Sequence, residues 1–162
     1  MLLRRLLGHD AIYEDSGRPL DPTGKRWVSA THDGTWILAA LGPDKVGIDV
    51  VDISRAHIVP DSAFTPSERE FLTHSSSTNR ALLWAAKEAH LKRHGVGLAR
   101  SPDTVNISRT EPGRLHAKDA TGARSLLHIC RLDPEHVFAL ATRAAPGPHA
   151  PLSPPTLHAT RK

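Results

Sequence analysis

The stretch TNRALLWAAKEAHLKRHG, residues 78–95, is the one long segment of strong helix formers in the chain, and it is set among short apolar, β-branched runs. That contrast limits the fold more than any other feature. Leu82, Leu83, Ala86 and Leu91 form an apolar stripe at helical spacing, and Gly95 is a natural helix stop. Upstream, RWVSA, WILAAL and KVGIDVV read as strands; downstream, TVNISR, RLHAK, RSLLHICRL and HVFALAT do the same. Turn residues separate them at THDG, GPD and EPG. A shorter helix is predicted at FTPSEREFL, where Thr65, Pro66 and Glu68 make a capping box with proline in the first turn. The expected fold is a strand-rich α+β domain with one principal helix.

Residues 1–144 are expected to form this domain. The tail from Ala145, APGPHAPLSPPTLHATRK, holds five prolines and almost no apolar periodicity, so it is expected to be a disordered tail or linker. Residues 15–25, DSGRPLDPTGK, read as a turn-rich loop. No apolar run approaches the roughly 18–20 residues of a membrane span, and MLLRRLLGHD lacks a small-residue cleavage site. Cys130 is the single cysteine, so no internal disulfide forms, and a cytoplasmic location is expected. The formal charge of +4 suits a polyanionic ligand or an acidic partner. With aromatics at 4%, base-stacking recognition of nucleic acid has little support.

Three places could carry chemistry. On the long helix, Trp84, Glu88 and Lys92 are spaced by four and share a ridge, with Lys87 beside it. Read alone, Glu88 and Lys92 are an ordinary surface pair. In VGIDVVD, alternation puts Val46, Ile48 and Val50 on one face and Gly47, Asp49 and Val51 on the other. An aspartate within an apolar strand needs a metal ion or a cation beside it, unless it sits at a wet strand end. In SATHDG, His32 lies between two strands, either at a turn that faces an anion or at a plain hairpin. His90 and His94 are also four apart, but no third ligand of zinc spacing lies near them.

Taken together and in this order, these segments resemble the 4'-phosphopantetheinyl transferase superfamily. Gly47, Ile48 and Asp49 match its G-[IV]-D motif, and Trp84, Lys87, Glu88, Ala89 and Lys92 match W-x-x-K-E-[AS]-x-x-K. Thr31, His32 and Gly34 match the Ser/Thr-His-x-Gly turn, and Gly17, Arg18 and Pro19 match a Gly-Lys/Arg-Pro element that touches the nucleotide. The resemblance runs from about residue 15 to 142. It implies the family's own fold, an antiparallel sheet against one long helix plus short helices. It also implies transfer of the phosphopantetheine arm of coenzyme A to a serine of an acyl or peptidyl carrier protein, with release of 3',5'-ADP. Asp49 and Glu88 are then the Mg²⁺ ligands. Lys92, Lys87 and His32 contact phosphates, and Thr31, Arg18 and Pro19 belong to the coenzyme A site. The base that takes the serine proton stays open between Glu88 and a water, and Trp84 is expected to pack beneath the site.

Two departures from the family pattern stand out. Val51 occupies a position where many surfactin-type members carry a glutamate, and alternation points Asp52 to the opposite face, so water or Asp52 would complete the metal shell. Too little chain precedes residue 30 for the first half of a surfactin-type pseudo-dimer. That shortness implies either self-association, as in the trimeric acyl carrier protein synthase type, or a domain of a larger synthase. Two rival readings are a non-catalytic module that binds coenzyme A or a carrier, and a metal-dependent phosphoesterase using the same carboxylates.

Overall fold

The long helix forms where its periodicity places it. The computed structural model describes residues 2–111, 114–144 and 155–161. In chain order the elements are α1 (Leu2–Leu7), β1 (Ile12–Tyr13), β2 (Pro19–Leu20), β3 (Trp27–Asp33), β4 (Trp36–Gly42) and β5 (Gly47–Asp52). Two helices follow, α2 (Pro66–Thr73) and α3 (Ser77–His94), and then β6 (Asn106–Glu111), β7 (Arg114–Lys118), β8 (Arg124–Arg131), β9 (His136–Arg143) and β10 (Thr156–Arg161). All seven predicted strands are present. Thr65 caps α2 through the expected box with Glu68, and Gly95 ends α3 at φ 72°. The EPG turn falls partly outside the described residues, and residues 145–154 of the tail fall wholly outside them.

The main sheet has the order β5-β9-β8-β7-β6 and is antiparallel throughout. Helix α3 lies across it, packing Ala81, Ala85, Ala86 and Ala89 into a core with Val51, Ala117, Val137, Ala139 and Ala141. Small side chains on both surfaces allow a close approach, and Gly47 is where it is closest. A Cβ built on Gly47 would stand 2.0 Å from the Ala89 carbonyl oxygen and 2.5 Å from the Arg93 nitrogen. Both obstacles are backbone, so neither can swing away. Gly47→Ala is therefore expected to destabilise the fold by about 3 kcal/mol, the upper range for overpacking. Urea unfolding checks this, and an alanine variant as stable as the parent would refute the close crossing.

On the other face of β5, Val46, Ile48 and Val50 pack with Leu140 against Leu38 and Ala40. This is the alternation predicted for the strand. The second sheet, β10-β4-β3, supplies that partner layer. Its β3 is stitched to the free edge of β5 by alternate side chains. The Ile48 N–H donates to Ser29 Oγ at 3.1 Å, Thr31 Oγ1 donates to Asp49 Oδ1 at 2.9 Å, and the Asp52 N–H donates to Asp33 Oδ2 at 2.8 Å. An edge strand is thus closed without a continuous ladder.

Both termini carry elements beyond the predicted ones. Thr156–Arg161, assigned to a disordered tail, pairs antiparallel with β4 from Thr156 opposite Leu41 to Arg161 opposite Trp36. Its side chains are almost all exposed, so backbone hydrogen bonds hold the strand and no apolar pattern marks it. At the other terminus, α1 buries Leu3 and Leu7 against Val28, Ala39 and Leu41. Among the described residues no helix is long and apolar enough to cross a membrane.

Candidate active site

Helix α3 crosses β5 so that Glu88 meets Asp49. The two carboxylates line one cleft of about 360 Å³, together with His32, Asp33, Arg55 and Trp84. Glu88 also borders a second cleft of about 450 Å³, along which Lys92, Gly95, Arg18 and Pro19 are arrayed. Asp49 Oδ1 accepts two hydrogen bonds, from Thr31 Oγ1 at 2.9 Å and from Lys92 Nζ at 2.6 Å. Among the described residues none reaches its Oδ2. Glu88 is 8% exposed, and its Oε1 is buried with no hydrogen-bond partner.

These surroundings are hostile to two negative charges. Burial raises the Asp49 carboxyl above its ordinary range, against the opposing pull of Lys92 and Thr31. Glu88 is pushed up to about 7, first by burial and then by Asp49, with Lys92 opposing. A buried acidic oxygen without a partner is unfavourable unless something positive joins it. The pair suits a hard divalent cation. Among the described residues no third His, Cys, Asp or Glu converges with them. Mg²⁺ commonly takes one or two protein carboxylates and completes its octahedron from phosphate and water.

The other predicted residues divide. Thr31 is buried on Asp49, and Lys92 is its ion-pair partner. His32 is exposed at the rim of the first cleft, near the end of a strand that continues to Asp33. Arg18 and Pro19 line the second cleft. Trp84 packs on the core beneath α3, and part of it also borders the first cleft.

Lys87 is a correction. Expected at a phosphate, it is wholly buried, 2.7 Å from Glu68 Oε2 and donating to the Pro102 and Val105 carbonyls. One position along a helix turns a side chain by about 100°, so Lys87 and its neighbour Glu88 face different surfaces. Asp52 caps the turn that follows β5 by accepting from the Ser54 N–H and hydroxyl, and Val51 is in the core. The histidine pair is also committed: His90 Nδ1 meets Ser125 Oγ at 2.8 Å, and His94 Nε2 meets Arg93 Nη1 at 2.9 Å. Asp33, which shares the cleft and pairs with Arg55 at 2.7 Å, was missed. Its spacing of two from Thr31 could have revealed it, had THDG been read as strand rather than loop.

The model of the 4'-phosphopantetheinyl transferase superfamily matches residues 45–141, more than half of the chain. The chain belongs to that superfamily. The 4'-phosphopantetheinyl transferase ffp of Bacillus subtilis is 25% identical over 108 residues, covering 63% of this chain and 48% of the relative. The 4'-phosphopantetheinyl transferase psf-1 of Bacillus pumilus is 28% identical over 120 residues, covering 70% and 51%. The chain thus spans about half the length of these transferases. A holo-(acyl-carrier-protein) synthase from Bacillus anthracis, solved in complex with CoA (3',5'-ADP), shares the fold. Its TM-score is 0.50 at 19% identity, covering 60% of this chain and 92% of that one.

Proposed function

We propose that this chain transfers the 4'-phosphopantetheine arm of coenzyme A to a serine of an apo acyl or peptidyl carrier protein, releasing 3',5'-ADP. The observation that carries the reading is the unpartnered buried oxygen of Glu88 beside Asp49. Asp49 and Glu88 would hold Mg²⁺, which when bound supplies positive charge to a diphosphate and to the departing oxygen. Lys92 can exchange its contact with Asp49 for one with a phosphate oxygen, because its side chain is 27% exposed. Thr31 holds Asp49 by one oxygen and leaves the other open to the cleft. His32, at the rim, donates to the same phosphates. The serine proton goes to Glu88 or to a water in the cleft. Arg18 and Pro19 border the nucleotide end, and Lys87 serves the scaffold instead.

Self-association, or membership of a longer polypeptide, belongs to the same proposal. A second reading has an observation in its favour. Because the chain spans about half of its relatives, it would also suit a non-catalytic module that binds coenzyme A or a carrier. Incubation with coenzyme A, Mg²⁺ and several apo carrier proteins separates the two. Transfer adds the mass of one phosphopantetheine to a carrier; coenzyme A binding with no mass gain on any carrier would leave only the module.

A further inference from the structure

We propose that Asp133, in the turn between β8 and β9, and His136, which opens β9, are positioning residues for the transfer: they grip the β3–β4 turn and so fix His32 at the rim of the first cleft. The inference rests on the transferase reading, in which His32 donates to the phosphates. Asp133 and His136 match none of the four motifs, and neither lines the first or the second cleft. Asp133 Oδ2 accepts from the Trp36 indole N–H at 2.7 Å, and Oδ1 accepts from the Glu135 and His136 backbone N–H groups, both at 2.8 Å. His136 Nδ1 meets the same Oδ1 at 3.0 Å; an ionised carboxylate only accepts, so that nitrogen carries the proton. The Trp36 N–H, ahead of the other donors, holds the Asp133 carboxyl well below the ordinary range, so the acceptor stays charged.

Both grips fall on one turn. Gly34 and Thr35 are the two loop residues between Asp33 and Trp36, which pair across the hairpin. Trp36 is held by its side chain just after the loop. Within the loop, Gly34 stands at φ 53° against the His136 ring, and a Cβ there would lie 2.9 Å from His136 Nε2. A two-residue loop admits few backbone conformations, so holding it sets the strand end before it. That strand end carries His32 and Asp33, and Asp33 accepts from the Gly34 N–H, the Asp52 N–H and Arg55. His136 Nε2 is buried and has no hydrogen-bond partner among the described residues. Such a nitrogen is unfavourable, and an apolar side chain would fill the same space without it. What the imidazole adds is its bond to Asp133, which fixes the ring against Gly34.

The test is a double-mutant cycle on phosphopantetheine transfer by the full chain, with His32→Ala as the second member. Asp133→Asn keeps the shape of the side chain and removes its charge. It is expected to lower kcat/KM by about ten- to a hundredfold in the parent, and by less than about twofold in His32→Ala. A general loosening of the fold would cost the same in both backgrounds. If Asp133→Asn does not fold, Trp36→Phe, which removes one donor and keeps an aromatic ring, is put through the same cycle and should show the same pattern. Equal losses in the two backgrounds, or no loss in either, overturn the inference alone. A parent chain that transfers to no carrier overturns the transferase reading and the inference with it.

Discussion

Glu88→Gln is expected to end phosphopantetheine transfer and, at pH 8 without metal, to make the protein more stable. Both effects come from one oxygen. Glu88 is held at about 7 by burial and by Asp49, well above an ordinary glutamate. A carboxyl whose folded-state pKa is raised binds its proton more tightly in the folded chain. Its stabilising contribution is then complete below about 4.5 and is lost as the pH climbs through 7. The loss amounts to an order of 3 kcal/mol. Glutamine has no proton to lose, so the variant should overtake the parent as the pH rises from 5 to 8. Added Mg²⁺ should narrow that gap by stabilising the ionised parent. Transfer, which needs the carboxylate, should fall by a factor on the order of 10²–10³ or more. Parallel thermal melts and a transfer assay check both arms. Full activity of the variant would dispose of the metal role, and identical pH slopes would contradict the buried carboxylate.

Lys87→Met should unfold the protein far more readily than the loss of any surface lysine. The Lys87 ammonium is sealed among α2, α3 and the loop before β6, where it pairs with Glu68 and donates hydrogen bonds to two backbone carbonyls. Burial lowers its pKa, and Glu68 counters that pull. Glu68 itself also accepts from the Thr65 and Ile107 N–H groups, so one carboxylate ties a helix cap to an edge strand. Removing the lysine leaves that carboxylate buried without its cation, a change that typically costs about 3–5 kcal/mol. A fall in Tm on the order of 10 °C is expected. Adding Glu68→Gln, which removes the stranded charge and keeps an acceptor, should restore part of the loss. Were Lys87→Met to melt within a degree or two of the parent while losing affinity for coenzyme A, Lys87 would belong to the phosphates after all.

Much of this molecule is local and therefore legible in the chain. The extent of α3, the Thr65 box, the Gly95 stop and the two faces of β5 each follow from dihedral preference and a period of 3.6 or 2. The core face of α3, by contrast, is made by Ala81, Ala85, Ala86 and Ala89; of the expected stripe, Leu82 is only half-buried and Leu83 joins no core cluster among the described residues. The G-[IV]-D and W-x-x-K-E segments were readable as a pair, although the chain alone does not bring Asp49 to Glu88. What brings them together is the backbone crossing at Gly47, which meets Ala89, 42 positions further along the chain.

The remainder was decided by neighbours that leave no local trace. Lys87 and Lys92 are equivalent to a pattern of charges; in the fold Lys87 is sealed on Glu68 of α2, whereas Lys92 reaches Asp49 of β5 and opens to the second cleft. β10 carries no apolar alternation, because an edge strand needs only backbone donors and acceptors, and β4 had an edge to offer. Asp33 became a cleft residue when β3 outran its expected end. Side-chain chemistry and short-range periodicity are written in the order of residues. Which buried charge meets which is fixed only when packing removes the water between them.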